Sequence, residues 1–171
     1  KAENAYCERP TTLSLVPDVT GRRVFDAGCG SGFYAEWLVS HGAEVVATDV
    51  TPHMVELPRQ RLGARVHVHL ADLSQPLDFL DSGSFDLVLC PLVLDYIEDW
   101  EGVFGEFHRA LRPSGCFVFS VGHPMASYHF WNDGDYFAIE LVEAEWNSFG
   151  QPATIQSYRR PLGAITSSLW K

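Results

Sequence analysis

Short apolar runs alternate along this chain with longer amphipathic stretches. The runs at 23–26, 43–48, 65–70, 85–90 and 116–121 are rich in Val, Phe, Leu and Cys and are bounded by turn residues, which predicts five strands. In the third, Val66, Val68 and Leu70 alternate with His67 and His69, so the two histidines read as structural. A helix is expected over 31–40, stopped by His41-Gly42, and a short one over 11–16, closed by Pro17. Another starts at Thr51-Pro52, with Thr51 as cap and Pro52 in the first turn, and Pro58 is expected to kink or shorten it. A helix over 100–111 leads through Arg112-Pro113-Ser114-Gly115 into the fifth strand. Strands alternating with helices predict an α/β fold, a doubly wound and mostly parallel sheet with right-handed crossovers.

Past residue 121 the pattern changes. Tyr128, Phe130, Trp131, Tyr136, Phe137, Trp146, Phe149 and Tyr158 cluster around the turn signal Asn132-Asp133-Gly134-Asp135. With strands expected over 136–142 and 153–158, the segment reads as an aromatic-rich lid or antiparallel addition at the sheet's C-terminal edge. A satellite core under a long connection is the alternative. The expected organisation is one domain: a cap segment over 1–20, a ligand-binding core over 21–122, the lid over 123–160, and the start of a further helix over 161–171.

Composition narrows the partners. At 171 residues, 46% hydrophobic and 20% charged, the chain has the make-up of one soluble domain with a sizeable core. No apolar run has the length of a membrane span and the first ten residues are polar, so a cytoplasmic location is expected. A net charge of −10 argues against nucleic acid or an anionic membrane, with only the thin clusters Arg59/Arg61/Arg65 and Arg159/Arg160 to oppose it. Cys7, Cys29, Cys90 and Cys116 form no C-x-x-C pair, so neither metal nor redox chemistry is indicated.

The chemistry sits in Asp26-Ala27-Gly28-Cys29-Gly30-Ser31-Gly32, between the first strand and its helix. Glycines there let the backbone turn sharply and let a ligand approach the main chain, with the helix N-terminus aimed at it. A dinucleotide fingerprint would place its third glycine one residue later, at Phe33, and Asp26 would add negative charge beside a pyrophosphate. Asp26 instead suits a ligand with a cationic end.

The complete Asp-x-Gly-x-Gly-x-Gly run resembles the first motif of the class I S-adenosylmethionine-dependent methyltransferases. That resemblance covers 24–121 and extends loosely to Pro161. It implies a Rossmann-like methyltransferase fold of seven strands, of which five and the aromatic insert are counted here, leaving the C-terminal pair missing or replaced. It implies S-adenosyl-L-methionine as cofactor and S-adenosyl-L-homocysteine as product. It further implies that Asp49, with Val50 beside it, takes the ribose hydroxyls, that Met54 packs on the adenine, and that Asp72 and Leu73 meet its amino group and ring nitrogen. Gly28, Cys29 and Gly30 line the turn, Cys90 offers its backbone carbonyl to the ammonium group, and Tyr6 of the N-terminal segment closes over the cofactor. Gly28→Val is expected to abolish binding through steric closure.

The acceptor side is less legible. Asp95 and His123 are the candidate catalytic residues, with Tyr128, His129 and Tyr136 in the lid. Where many members of the family carry His, this chain has Asp95 in Leu92-Val93-Leu94-Asp95-Tyr96, and a helix cap is preferred to a base for it. Cys90-Pro91-Leu92-Val93 stands where a nucleobase- or protein-amine motif would be, which tilts the expectation to a small-molecule acceptor. The protein is expected as a monomer or homodimer. A non-catalytic cofactor-binding module and, behind it, a nicotinamide-dependent oxidoreductase are the competing readings. The apolar fifth strand is expected to be covered, by 153–158, by a partner or by further C-terminal residues.

Overall fold

The computed structural model describes residues 3–131, 134–146 and 152–169, so that Asn132 and Asp133 of the turn signal and Phe149 of the aromatic cluster lie outside them. Strands β1 (Arg23–Ala27), β2 (Glu44–Asp49), β3 (Val66–Leu70), β4 (Phe85–Pro91) and β5 (Leu111–Ser120) form one parallel sheet in the order β3-β2-β1-β4-β5. The chain winds outward from β1 to β3, then returns to place β4 on the other side of β1. The reversal opens a crevice beyond the carboxyl ends of β1 and β4, where ligands bind in such sheets.

Period-two alternation sorts the strand side chains into two cores. Val24, Val45, Val66, Val68, Leu87 and Leu89 join Leu38 of α2 (Phe33–Ser40) and Val55 and Leu62 of α3 (Pro52–Leu62). Phe25, Val46, Val88 and Cys90 join Trp100, Val103 and Phe107 of α4 (Trp100–Ala110). Phe25 anchors the second core, its ring 5.9–6.3 Å from those of Phe79, Phe85 and Phe107. Each fully buried side chain of this size contributes about 1.5–3 kcal/mol of transfer free energy.

Several local expectations change. Helix α3 runs unbroken through Pro58, whose buried ring packs at Gly32. Thr51 does stand at its N-cap, but its hydroxyl makes no capping bond; its amide is held by Asp49 Oδ1 at 2.9 Å. Strand β5 begins at Leu111 rather than Cys116, because Leu111 already pairs with Phe85 before the register shifts and Cys116 takes up Leu87. The Arg112-Pro113-Ser114-Gly115 turn is therefore an excursion within the strand.

Beyond the sheet, α5 (Pro124–Trp131) leads to an antiparallel hairpin of β6 (Glu140–Trp146) and β7 (Ala153–Arg159), followed by α6 (Leu162–Ser167). The first hairpin strand starts later than expected because the Asp135 carboxylate accepts the Phe137 amide at 2.9 Å and keeps 136–139 in a turn. Strand β7 pairs with β6 and not with β5, so it is not the cover expected for the fifth strand. Among the described residues no strand joins the outer edge of β5.

At the other end, a π-helical turn (Asn4–Glu8) runs into α1 (Arg9–Leu15). Among the described residues no helix is long and apolar enough to cross a membrane.

Candidate functional site

The loop from β1 to α2 takes left-handed backbone at each alternate glycine: φ is +80° at Gly28, +51° at Gly30 and +82° at Gly32. Two of the three are also fixed by packing. A Cβ on Gly28 would lie 2.4 Å from Val93 Cγ2, and one on Gly32 would lie 2.6 Å from Pro58 Cβ. At Gly28 it is therefore Val93 of the chain itself that meets an added side chain. Gly30 differs, because a Cβ there meets nothing within 4 Å. It is the open face of the cradle.

The loop is braced from β2 and α3. Thr48 O accepts the amides of Gly28 and Cys29 at 2.9 and 2.8 Å, and Asp49 Oδ2 accepts that of Gly30 at 2.9 Å. Arg61 of α3 donates to Ser31 O and Gly32 O at 2.8 and 2.9 Å. The Arg59/Arg61/Arg65 cluster is therefore spent locally: Arg59 donates to Val68 O and Glu56, and Arg65 to Leu62 O.

Asp26 is fully buried, and neither carboxylate oxygen has a hydrogen-bond partner. Burial pushes its pKa up to about 7 and the neighbouring Asp49 adds to the rise; the Ala35 amide, which makes no full hydrogen bond to it, offsets this only in part. An orphaned carboxylate in the interior is costly and calls for a counter-charge or a donor. It stands on β1, and the chain reaches the open cradle at Gly30 within the same loop.

The remaining predicted cofactor residues gather at the ends of the strands with different exposures. Val50 and Asp72 are exposed, Met54 is half-buried, and Leu73, Cys29 and Cys90 are buried. Asp72 Oδ1 accepts the amide and hydroxyl of Ser74 at 2.9 and 2.7 Å, which fixes the turn after β3. Burial pushes both the Cys29 and Cys90 thiols up, so neither is a nucleophile. Tyr6 is 85% exposed. His69 stacks on Phe79 with ring centroids 4.2 Å apart, in the structural role expected of it.

Two residues near the crevice escaped sequence reasoning. Glu8 accepts hydrogen bonds from Thr12, Tyr34 and Ser120, at 2.8 Å from Tyr34 and from Ser120, and so pins the N-terminal helix over α2 and β5. Nothing in the polar stretch around Glu8 signals this. Leu92, directly after β4, has φ +55°, a strained value for a branched residue, beside the Val93 that closes Gly28.

On the acceptor side, Asp95 does not cap a helix. The short 3₁₀ turn Leu94–Tyr96 has its N-cap at Val93, and Asp95 Oδ2 instead accepts the Gly122 amide at 2.9 Å, tying the end of β4 to that of β5. Burial raises its pKa, against the Gly122 amide and the Arg160 charge. His123 is exposed, and its Nδ1 accepts the Met125 amide at 3.2 Å at the start of α5. Tyr128 and Tyr136 meet edge to face, and His129 is exposed. Among the described residues no cluster of His, Cys, Asp and Glu is arranged to hold a metal.

The Methyltransferase domain family matches residues 25–119, from the first core strand through the fifth. The chain belongs to that family. By family and fold it is a class I S-adenosylmethionine-dependent methyltransferase domain. A malonyl-[acyl-carrier protein] O-methyltransferase of Serratia marcescens is 33% identical over 101 residues, 59% of this chain and 38% of that protein. A ubiquinone biosynthesis O-methyltransferase of Alkalilimnicola ehrlichii is 27% identical over 155 residues, 87% of this chain and 63% of that one. The methyltransferase domain described here thus spans less than two thirds of these curated relatives. An S-adenosylmethionine dependent methyltransferase of Mesorhizobium loti superposes with a TM-score of 0.74 at 28% identity, covering 95% of this chain and 78% of that one. A Listeria monocytogenes structure, 22% identical, shares the fold with a TM-score of 0.85, covering 99% of this chain and 81% of that one.

Proposed function

We propose that this chain binds S-adenosylmethionine at the β1–α2 loop and transfers its methyl group to a small molecule. The observation that carries the reading is Asp26, a buried carboxylate with no partner beside a glycine cradle that stands open at Gly30. A cationic ligand end offsets the desolvation that raises the Asp26 pKa. Asp49 already orders the loop through the Gly30 and Thr51 amides, and its remaining lone pairs are available to a ribose diol. Met54 and Leu73 supply apolar contact for the adenine, Asp72 its polar edge, Cys90 a backbone carbonyl for the ammonium, and Tyr6 an exposed ring able to fold over the ligand.

The bound cofactor supplies a methyl group already activated on a sulfonium. The protein's task is then to align an acceptor with it and to exclude water. Asp95, committed to the Gly122 amide, is a positioning residue in this scheme, and His123, exposed just after β5, is the remaining base for an acceptor that must lose a proton. Calorimetry with S-adenosylhomocysteine tests the cofactor site. A metabolite extract incubated with labelled donor tests transfer. Binding without any labelled product would make the chain a binding module. No binding of S-adenosylhomocysteine would remove the reading altogether.

A further inference from the structure

Arg159 is the last residue of β7, its side chain is only 4% exposed, and its Nε and Nη1 have no hydrogen-bond partner. Nη2 is paired with Glu140 of β6, whose own side chain is 36% exposed. The guanidinium lies over the Tyr128 ring, 5.5 Å from its centroid, and Tyr128 meets Tyr136 edge to face. Gly134 backs this ion pair at φ +80°, where a Cβ would lie 2.5 Å from Arg159 Nη2 and 2.7 Å from Glu140 Oε2. The neighbouring Arg160 is used differently. It donates to Ile97 O and Glu98 O and lies over Trp100, holding β7 against the loop that follows β4.

We propose that Arg159 recognises an acidic group, a carboxylate or a phosphate, on the methyl acceptor. This rests on the reading of the crevice as a methyltransferase site. A buried guanidinium with unused donors on both sides of its one ion pair is costly unless something accepts from them. Its planar fork matches a carboxylate or phosphate. Glu140, partly exposed and on the adjacent strand, is the built-in anion that holds the seat and is displaced by the acceptor's. Strand β7, which ends at Arg159, packs along the turn after β4, and that turn follows directly on the Val93 that packs at Gly28.

The test uses benzoate, phenyl phosphate and neutral benzamide, titrated into the protein with and without S-adenosylhomocysteine. One of the two anions is expected to bind at least about tenfold more tightly than benzamide, the scale of one charge-assisted hydrogen bond, and whichever of them does so names the group. Arg159→Gln should lose that preference while S-adenosylhomocysteine binds as before. Because Arg159→Gln removes a buried ion pair and is open to misfolding, Glu140→Gln provides the second arm. It frees the guanidinium and should tighten anion binding, a change no purely structural salt bridge produces. Equal binding of anion and amide, or weaker anion binding by Glu140→Gln, overturns the proposal even when S-adenosylhomocysteine binds normally. Loss of S-adenosylhomocysteine binding by the unaltered protein overturns the cofactor reading instead.

Discussion

Glu8 and Ser120 are hydrogen-bonded at 2.8 Å across 112 positions of the chain, and the same carboxylate takes the Tyr34 hydroxyl. One side chain thus joins the N-terminal helix, the helix after the glycine loop and the end of the last core strand. Burial and the Glu8 charge push the Tyr34 phenol up, so it remains a donor throughout the physiological range. Glu8→Ala should release residues 3–15 without unfolding the sheet. Hydrogen exchange should rise there, at a cost of about 1.5–3 kcal/mol for a charged acceptor; unchanged protection of α1 would show that apolar packing alone seats it.

Asp26 makes the stability of the ligand-free protein depend on pH. Its folded pKa is about 7 against 3.8 for the free side chain. The folded state therefore keeps a proton that the unfolded chain gives up between those values. Its contribution to stability is complete below the lower value and is lost as pH climbs toward the upper one. Melting curves should fall across that window, and Asp26→Asn should flatten them. The same variant should bind S-adenosylhomocysteine more weakly. A pH dependence identical in both proteins would discharge Asp26 from this role.

At Asp49, alanine removes two amide contacts as well as the proposed ribose contact. Calorimetry should register a loss of roughly 1.5–3 kcal/mol in S-adenosylhomocysteine affinity. Asp49→Asn, which keeps an acceptor but no charge, should fall between the two. Full affinity in the alanine variant would take the ribose elsewhere.

Gly28 and Val93 are coupled by contact. Gly28→Ala places a methyl 2.4 Å from Val93 Cγ2 and also forces a side chain into left-handed backbone. Urea unfolding should show a loss of about 2–4 kcal/mol, the sum of overpacking and backbone strain. Adding Val93→Ala should recover the packing part only. No recovery would mean that the backbone alone forbids a side chain there.

The parallel sheet and the cofactor loop were readable because both are written locally. Strand periodicity fixes the two cores, and the glycine spacing with Asp26 fixes the loop. What was not readable depends on distant partners. Asp95 looks like a cap until Gly122 arrives from β5, and Pro58 looks like a helix breaker until its ring is seen against Gly32. Arg159 and Arg160 form one basic pair in the sequence, yet Arg159, the last residue of β7, pairs with Glu140 across the hairpin, while Arg160, just past the strand, donates to Ile97 O and Glu98 O.

The strand order also sets a timetable for a chain emerging from the ribosome. β1, β2 and β3 are complete by Leu70 and pair only with one another until β4 is made. That half of the sheet can begin to assemble while the rest is still being translated. Glu8 precedes that half-sheet in the chain, yet finds its last partner only when Ser120 appears. Throughout that interval Glu8 has Thr12 and Tyr34 as partners but lacks the tie to β5.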